Sequence, residues 1–286
     1  MPRLLIAGCG YLGQAVAELF LAANWEVEGW TISSESAGRL SMKPYSVRSV
    51  DISKQKDIAA KAGKFDAVIH SASTRGGDAD AYRHVYLDGA RNLLQRFGGS
   101  RILFVSSTSV YAQKAGESVT ETSLAEPRHE TGKILREAEN LVLGSGGIVS
   151  RLAGIYGPGR SSLLRKFLSG RAVVDPQNDP FVNQIHRDDA AAAIRLLSEG
   201  GATGEIYNVV DDAPILQSEC YRWLAAKLNR PIPSVGRSAF KARKRGESNK
   251  RVSNAKLRAV GWRPRYPRFA DGMEKSVLSS FNLETI

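Results

Sequence analysis

The chain has 286 residues, enough for one large domain or a domain with a smaller lobe, and its 42% hydrophobic and 24% charged content is that of a soluble globular protein. Lys and Arg number 40 against 29 Asp and Glu, a net charge of +11 that favours anionic partners such as nucleotides, phosphorylated sugars or nucleic acid. The two cysteines, Cys9 and Cys220, exclude a disulfide framework, and no apolar run approaches the about 18 residues of a membrane span. Met1 leads almost directly into the first strand, so no signal peptide is expected and the cytoplasm is the expected compartment.

Leu4–Ala7 reads as a buried parallel strand, and Gly8, Gly10 and Gly13 follow it at G-x-G-x-x-G spacing. A helix then opens, with Leu12, Ala15, Val16, Leu19 and Phe20 on one face. In such a turn the first glycine allows the tight bend and the second lets backbone approach a pyrophosphate. The third lets helix and strand pack closely, and the helix N-terminus offers free N–H groups. Gly8, Gly10, Tyr11, Leu12 and Gly13 are therefore the candidate dinucleotide cradle. A second strand over 25–32 ends on Thr31 and Ile32, followed by Ser33 and Ser34, with Arg39 a little beyond. Hydroxyls and a basic residue there suit a 2′-phosphate somewhat better than a free ribose diol, so NADP is favoured over NAD, with Glu28 as the acid if the strand ends earlier.

A third strand over 45–52 ends on Asp51 and Ile52, and a fourth over 65–70 runs into the small residues Ser71, Ala72 and Ser73, which leave room for a ligand. A helix is expected over 79–97, and a fifth strand over 101–105 runs into Ser106–Tyr111. A helix over 132–143 then precedes a sixth strand over 147–152. Strands alternating with helices, each strand buried on both faces, predict an α/β fold of the Rossmann type with a doubly wound parallel sheet. Residues 1–155, with a returning segment at 184–212, are the expected dinucleotide-binding domain. Residues 156–183 and 213–286 form the expected smaller, discontinuous substrate lobe, and there is no internal repeat.

These residues resemble the extended short-chain dehydrogenase/reductase family, which includes the NAD-dependent nucleotide-sugar epimerases and dehydratases. The resemblance rests on Gly8–Gly13, Asp51-Ile52, the segment 86–93, Val105–Tyr111, the turn 156–159, Ile185–Asp189 and Tyr207–Val209. A closing motif runs from Arg251 to Leu257 and on through Gly261–Pro264. By that resemblance Asp51 would contact the adenine and Ser107 would match the family's catalytic Ser/Thr. The chain would pair as a homodimer through the helices near 79–97 and 132–143, and would act by hydride transfer on a sugar-like or nucleotide-sugar substrate.

The departures are equally specific. The family's Tyr-x-x-x-Lys pair is absent, since none of the nine tyrosines has a lysine four positions on. In one alignment Thr131 and Leu135 stand at the tyrosine and lysine positions; in another His129 precedes Lys133 at that spacing. Ala7 stands where the family's first glycine falls, and Ala153-Gly154 where many relatives carry a substrate-binding asparagine.

Three readings stay open. In the first, an enzyme uses His129 or Tyr111 as acid/base, Lys133 as a positive charge and Ser107 to orient a carbonyl; an imidazole exchanges protons near neutral pH. In the second, the chain binds NAD(P) without turnover, as a sensor or regulatory partner. The third, which the residues favour least, is a nucleic-acid-binding relative working through the basic stretch 237–251, whose single aromatic, Phe240, makes a poor stacking platform. The enzyme reading is favoured, with a small anionic or sugar-like substrate and no membrane partner. The four scattered histidines suggest no metal site.

Overall fold

In the computed structural model, which describes residues 1–61, 63–74, 76–236 and 248–281, seven parallel strands form one sheet. They are β1 (Arg3–Ala7), β2 (Glu26–Thr31), β3 (Ser46–Ser49), β4 (Ala67–His70), β5 (Arg101–Ser107), β6 (Ile148–Leu152) and β7 (Ile206–Val209). Their spatial order is β7-β6-β5-β4-β1-β2-β3, the doubly wound Rossmann-type arrangement expected from the alternation. Ala7 pairs with both Trp30 and His70, so the glycine turn, Thr31 and Ser71 emerge together at the carboxyl edge. That edge, at the switch between β1 and β4, is where open α/β sheets bind ligands.

Alternate residues of β1 serve the two layers. Leu4 and Ile6 pack in the core that contains Val16 and Phe20 of α1 (Tyr11–Leu21), while Leu5 and Ala7 join Trp30, Leu93 and Phe97 in another. The expected helix over 79–97 contains a π-helical segment, Arg83–Asp88, between the α-helical pieces Ala79–Tyr82 and Gly89–Phe97. Its cause lies beneath it: the ring of buried His70 takes the Val85 carbonyl at 3.0 Å and inserts into the helical ladder. Outside the sheet, a separate cluster gathers Tyr156, Leu164, Phe167, Tyr221, Leu224, Phe269 and Met273.

Three small ladders were not legible as strands. Gly154–Tyr156 pairs in parallel with Gln184–His186, Phe181–Val182 antiparallel with Ile215–Leu216, and Glu117–Val119 in parallel with Lys250–Val252. Segments of two or three residues carry no periodicity, and their partners are distant in sequence. The third strand stops short of the expected 45–52, because Asp51 turns the chain by accepting the Ser53 amide at 3.1 Å. Most of the basic stretch, residues 237–247, lies outside the described residues.

One buried ion pair ties the elements behind the carboxyl edge together. Glu139, on helix α2 (Glu130–Gly144), has no exposed surface. Its Oε1 accepts Ser106 Oγ at 2.5 Å and Arg151 Nε at 3.0 Å, and its Oε2 accepts Arg151 Nη2 at 2.7 Å and the Arg136 guanidinium. Arg151 Nη1 in turn donates to the Tyr111 hydroxyl at 2.9 Å, and that hydroxyl donates to Asn208 Oδ1 at 2.9 Å. Helix α2 and strands β5, β6 and β7 thus share one polar network, in which the single carboxylate of Glu139 faces both Arg151 and Arg136.

Two histidines are held neutral. Burial pushes His70 down to about 4, against the hydrogen bonds it makes to the chain near Val85. Burial also pushes His186 down to about 4, although Asp188 pulls the other way. In both cases the unfolded chain takes up the proton first, so their contribution is complete above about pH 6.5 and is lost as pH falls toward 4. Buried Asp189 and Asp211, whose carboxyls burial raises, work in the opposite sense. The variant comparison therefore isolates the effect: His70→Gln should lose less stability than the parent between pH 6.5 and 4, by at most about 3 kcal/mol in urea unfolding. Glu139→Gln, which leaves Arg151 buried without its partner, should cost about 3–5 kcal/mol, and the double variant Glu139→Met/Arg151→Met should recover part of that loss.

Candidate functional site

The glycine turn has the geometry that its spacing requires. Gly8 has φ +104°, and a Cβ there would fall 2.1 Å from the Ala72 amide nitrogen, so only glycine fits. A Cβ on Gly13 would fall 2.6 Å from the Gly8 carbonyl, the close helix–strand contact of the third glycine. A Cβ on Gly10 would meet nothing within 4 Å. The turn is therefore filled from below and open above its middle glycine. No side chain caps α1, and its first-turn amides on Tyr11, Leu12 and Gly13 have no acceptor within the helix. An opening over free N–H groups fits a pyrophosphate.

Other predicted cofactor residues gather around this turn. Ser71 Oγ donates to the Gly8 carbonyl at 3.0 Å, and the Ala72 backbone forms the floor under Gly8; Ser73 is exposed beside them. Ile52 is buried, and Asp51 beside it is half-buried. Burial raises the Asp51 carboxyl, but hydrogen bonds from Ser53 and the neighbouring Lys54 outweigh it and hold it low. Tyr11 leans toward the lobe: its hydroxyl donates to the Pro158 carbonyl at 3.1 Å, and the Arg160 and Arg187 guanidiniums lie 5.2 and 5.1 Å from its ring centre.

At the end of β2, Thr31 Oγ1 donates to the Ser33 carbonyl at 3.3 Å, and Ser33 Oγ caps the short helix Ser34–Arg39. Ser34 is exposed, and Arg39 pairs with Glu35 at 2.6 Å. Glu28 is removed from consideration as the ribose acid. It is buried within β2, where it accepts the Trp30 indole N–H at 2.7 Å and faces Arg48 at 3.3 Å.

A second cavity lies where the missing catalytic pair would have been, lined by Tyr82, Ser109, Tyr111, His129, Thr131 and Leu135, with Lys114, Arg128 and Ser248 also on its wall. Thr131 and Leu135, which take the tyrosine and lysine positions in one alignment, both line it. His129 lines it too, at the exposed N-terminus of α2. Lys133 does not: its side chain is 62% exposed and sits 3.9 Å from Glu130, because it occupies the outer face of α2 opposite Ile134 and Leu135. Ser107 ends β5 just before the cavity and accepts the Ser109 amide at 3.2 Å. Tyr111 lines the cavity, but its hydroxyl is engaged by Arg151 and Asn208, and burial pushes it up despite Arg151. A phenol held in that way is a poor proton exchanger at neutral pH.

The sequence reading takes Ser248 and Lys250 only as part of the basic stretch 237–251, a loop over a substrate diphosphate or a solvated surface, and gives neither a place at this cavity. Lys250 is 4% exposed and donates to the Tyr111 carbonyl at 3.1 Å and to Ser248 Oγ at 2.8 Å. No spacing rule flags a lysine that reaches its place by pairing with a strand far back in the chain. Among the described residues no cluster of His, Cys, Asp and Glu could hold a metal, and no helix is long and apolar enough to cross a membrane.

Comparison with known proteins agrees with this architecture. Protein YeeZ of Escherichia coli K12 is 27% identical over 280 residues, covering 93% of this chain and 97% of YeeZ. The structure of DesIV, a dTDP-glucose 4,6-dehydratase from Streptomyces venezuelae with NAD bound, superposes with a TM-score of 0.81 at 23% identity, covering 96% of this chain and 95% of DesIV. UDP-glucose 4-epimerase of Thermus thermophilus, in complex with NAD, gives 0.80 at 21% identity and covers 96% of each chain. At those identities the two structures speak for the fold. The model of the NAD dependent epimerase/dehydratase family matches residues 4–209, from the first strand through the last strand of the sheet. On that match and the glycine turn within it, the chain belongs to the NAD dependent epimerase/dehydratase family.

Proposed function

We propose that this protein is an NAD(P)-dependent oxidoreductase or epimerase that works by hydride transfer on a sugar-like hydroxy or keto compound in the cavity beside Thr131. The observation that carries this reading is the glycine turn, closed beneath Gly8 and open above Gly10, within one sheet edge of a second cavity lined by hydroxyls and cations. The turn and Asp51 would hold the dinucleotide, which when bound supplies the hydride acceptor or donor. The residues of the chain orient the substrate and exchange its proton. Lys114 and Arg128 on the cavity wall favour a substrate carrying an anionic group.

NADP remains favoured over NAD. With Glu28 turned into β2, the acid beyond the strand's end is Glu35, which is paired with Arg39, and Ser34 and Arg39 are exposed there. The second reading, a dinucleotide-binding sensor without turnover, draws on Thr131 and Leu135 at the family's catalytic positions and on the engaged Tyr111 hydroxyl. Pairing of two chains through the helices near 79–97 and 132–143 is proposed with either reading, and light scattering of the eluted protein tests it.

Calorimetric titration with NAD⁺, NADH, NADP⁺ and NADPH tests the cofactor assignment. A micromolar dissociation constant is expected for the NADP pair, and no binding of any of the four would overturn the dinucleotide reading. Gly10→Val should keep the melting temperature within a few degrees, since space is open there, yet weaken the bound dinucleotide at least about tenfold. A screen of hydroxy and keto acids and sugar phosphates with the bound cofactor then separates enzyme from sensor.

A further inference from the structure

Resting on the reading of the Thr131 cavity as an active site, we propose that Ser248 and Lys250 are its proton-exchanging pair, in place of the absent tyrosine and lysine. The pair is set by the fold. Lys250 begins the short strand Lys250–Val252, which lies parallel to Glu117–Val119. Asn183 clamps that strand from both sides, donating to the Lys250 carbonyl at 2.9 Å and accepting the Val252 amide at 2.8 Å. The ammonium group is thereby fixed behind the cavity wall, on the Tyr111 carbonyl and on Ser248 Oγ, and Tyr111 and Ser248 both line the cavity.

Three properties fit proton exchange rather than a structural role. Among the described residues no carboxylate is paired with Lys250, although it is 4% exposed; the other buried Lys or Arg among them, Arg151, is paired with Glu139. An ammonium buried without a countercharge is costly, and burial pushes the Lys250 amine down to about 8, where both protonation states are populated near neutral pH. Its hydrogen-bond partner, Ser248, is a half-buried hydroxyl on the cavity wall, so it can touch substrate where the amine cannot. The other titratable groups on that wall, Tyr82, Tyr111, Lys114, Arg128 and His129, include no carboxylate, and Glu117, opposite Lys250 in the strand pair, accepts the Ala115 amide at 2.9 Å instead.

The step is a pure proton relay. A substrate hydroxyl gives its proton to Ser248 Oγ as Ser248 gives its own to the uncharged Lys250 amine. The substrate becomes an alkoxide, Lys250 an ammonium, and Ser248 ends as it began, with no electrons gained or lost. In the direction of carbonyl reduction the same chain runs backward and protonates the alkoxide. The preferred substrate is accordingly a secondary alcohol or its ketone, with an anionic substituent toward Lys114 and Arg128.

Two measurements on the full chain decide the proposal. The first is NMR titration of the lysine side chains in lysine-labelled protein, with the Lys250 signal assigned by its loss in Lys250→Arg. Lys250 should titrate near 8, about two units below the surface lysines, and Ser248→Ala should move it. Titration together with the surface lysines would overturn the pair. The second measurement is turnover with the cofactor found by calorimetry. Lys250→Met and Ser248→Ala should each lower kcat about 100-fold or more while dinucleotide affinity stays within about twofold. Lys250→Arg, which keeps the charge but holds its proton, should not restore the rate; restoration would reduce Lys250 to a fixed charge and refute the relay. Full activity in Ser248→Ala would refute it as well. Unchanged near-ultraviolet circular dichroism in each variant separates these losses from misfolding. If the parent binds dinucleotide but turns nothing over, the enzyme reading fails and the relay fails with it, whereas turnover in the parent that survives both substitutions refutes the relay alone.

Discussion

Everything behind the carboxyl edge of the sheet leans on the ion pair between Glu139 and Arg151. Two charges without exposed surface survive there because the carboxylate accepts from Ser106, Arg136 and both sides of the Arg151 fork. Desolvation makes such a pair a weak source of net stability, yet losing one partner is costly, so its effect is to forbid alternatives. It locks helix α2 against β5 and β6, and through Tyr111 and Asn208 it reaches β7. The cavity wall inherits that rigidity. Tyr111 is held by its hydroxyl on one side and presents its carbonyl to Lys250 on the other.

The same network explains why the phenol on the cavity wall is not free for proton exchange. Tyr111 is a phenol on the wall of that cavity, but its hydroxyl belongs to the core and burial keeps it protonated. Lys133 is near in sequence, but helix geometry sends it outward. Lys250, entering from another strand, reaches the back of the cavity wall through Ser248 without disturbing either arrangement.

Much of this was readable from residues alone, and the limits have physical causes. The seven strands, the glycine turn and the long helices declare themselves by periodicity and spacing, because each is a local pattern repeated over a full element. The Glu139–Arg151 pair was not read from the sequence, because the two residues meet only when helix α2 packs on β6. Nor was the π-helical segment in the helix over 79–97, because its cause is His70, a residue from a different strand. The cavity's lysine was hidden for the same reason. Three-residue strands are recognised only by what they pair with, and Lys250 pairs with a segment whose own pattern is too short to read.

That pairing bears on how the molecule comes to be assembled. The Lys250 amine meets the Tyr111 carbonyl across 139 residues of chain. That contact needs nearly the whole chain to have been made, whereas the β-α-β units close through short local connections. As the chain emerges from synthesis, the glycine turn is built from the first seventy or so residues, Gly8 resting on Ala72, long before the strand that carries Lys250 exists. The turn and the lysine behind the cavity wall are therefore completed at different times, and only the finished chain has both.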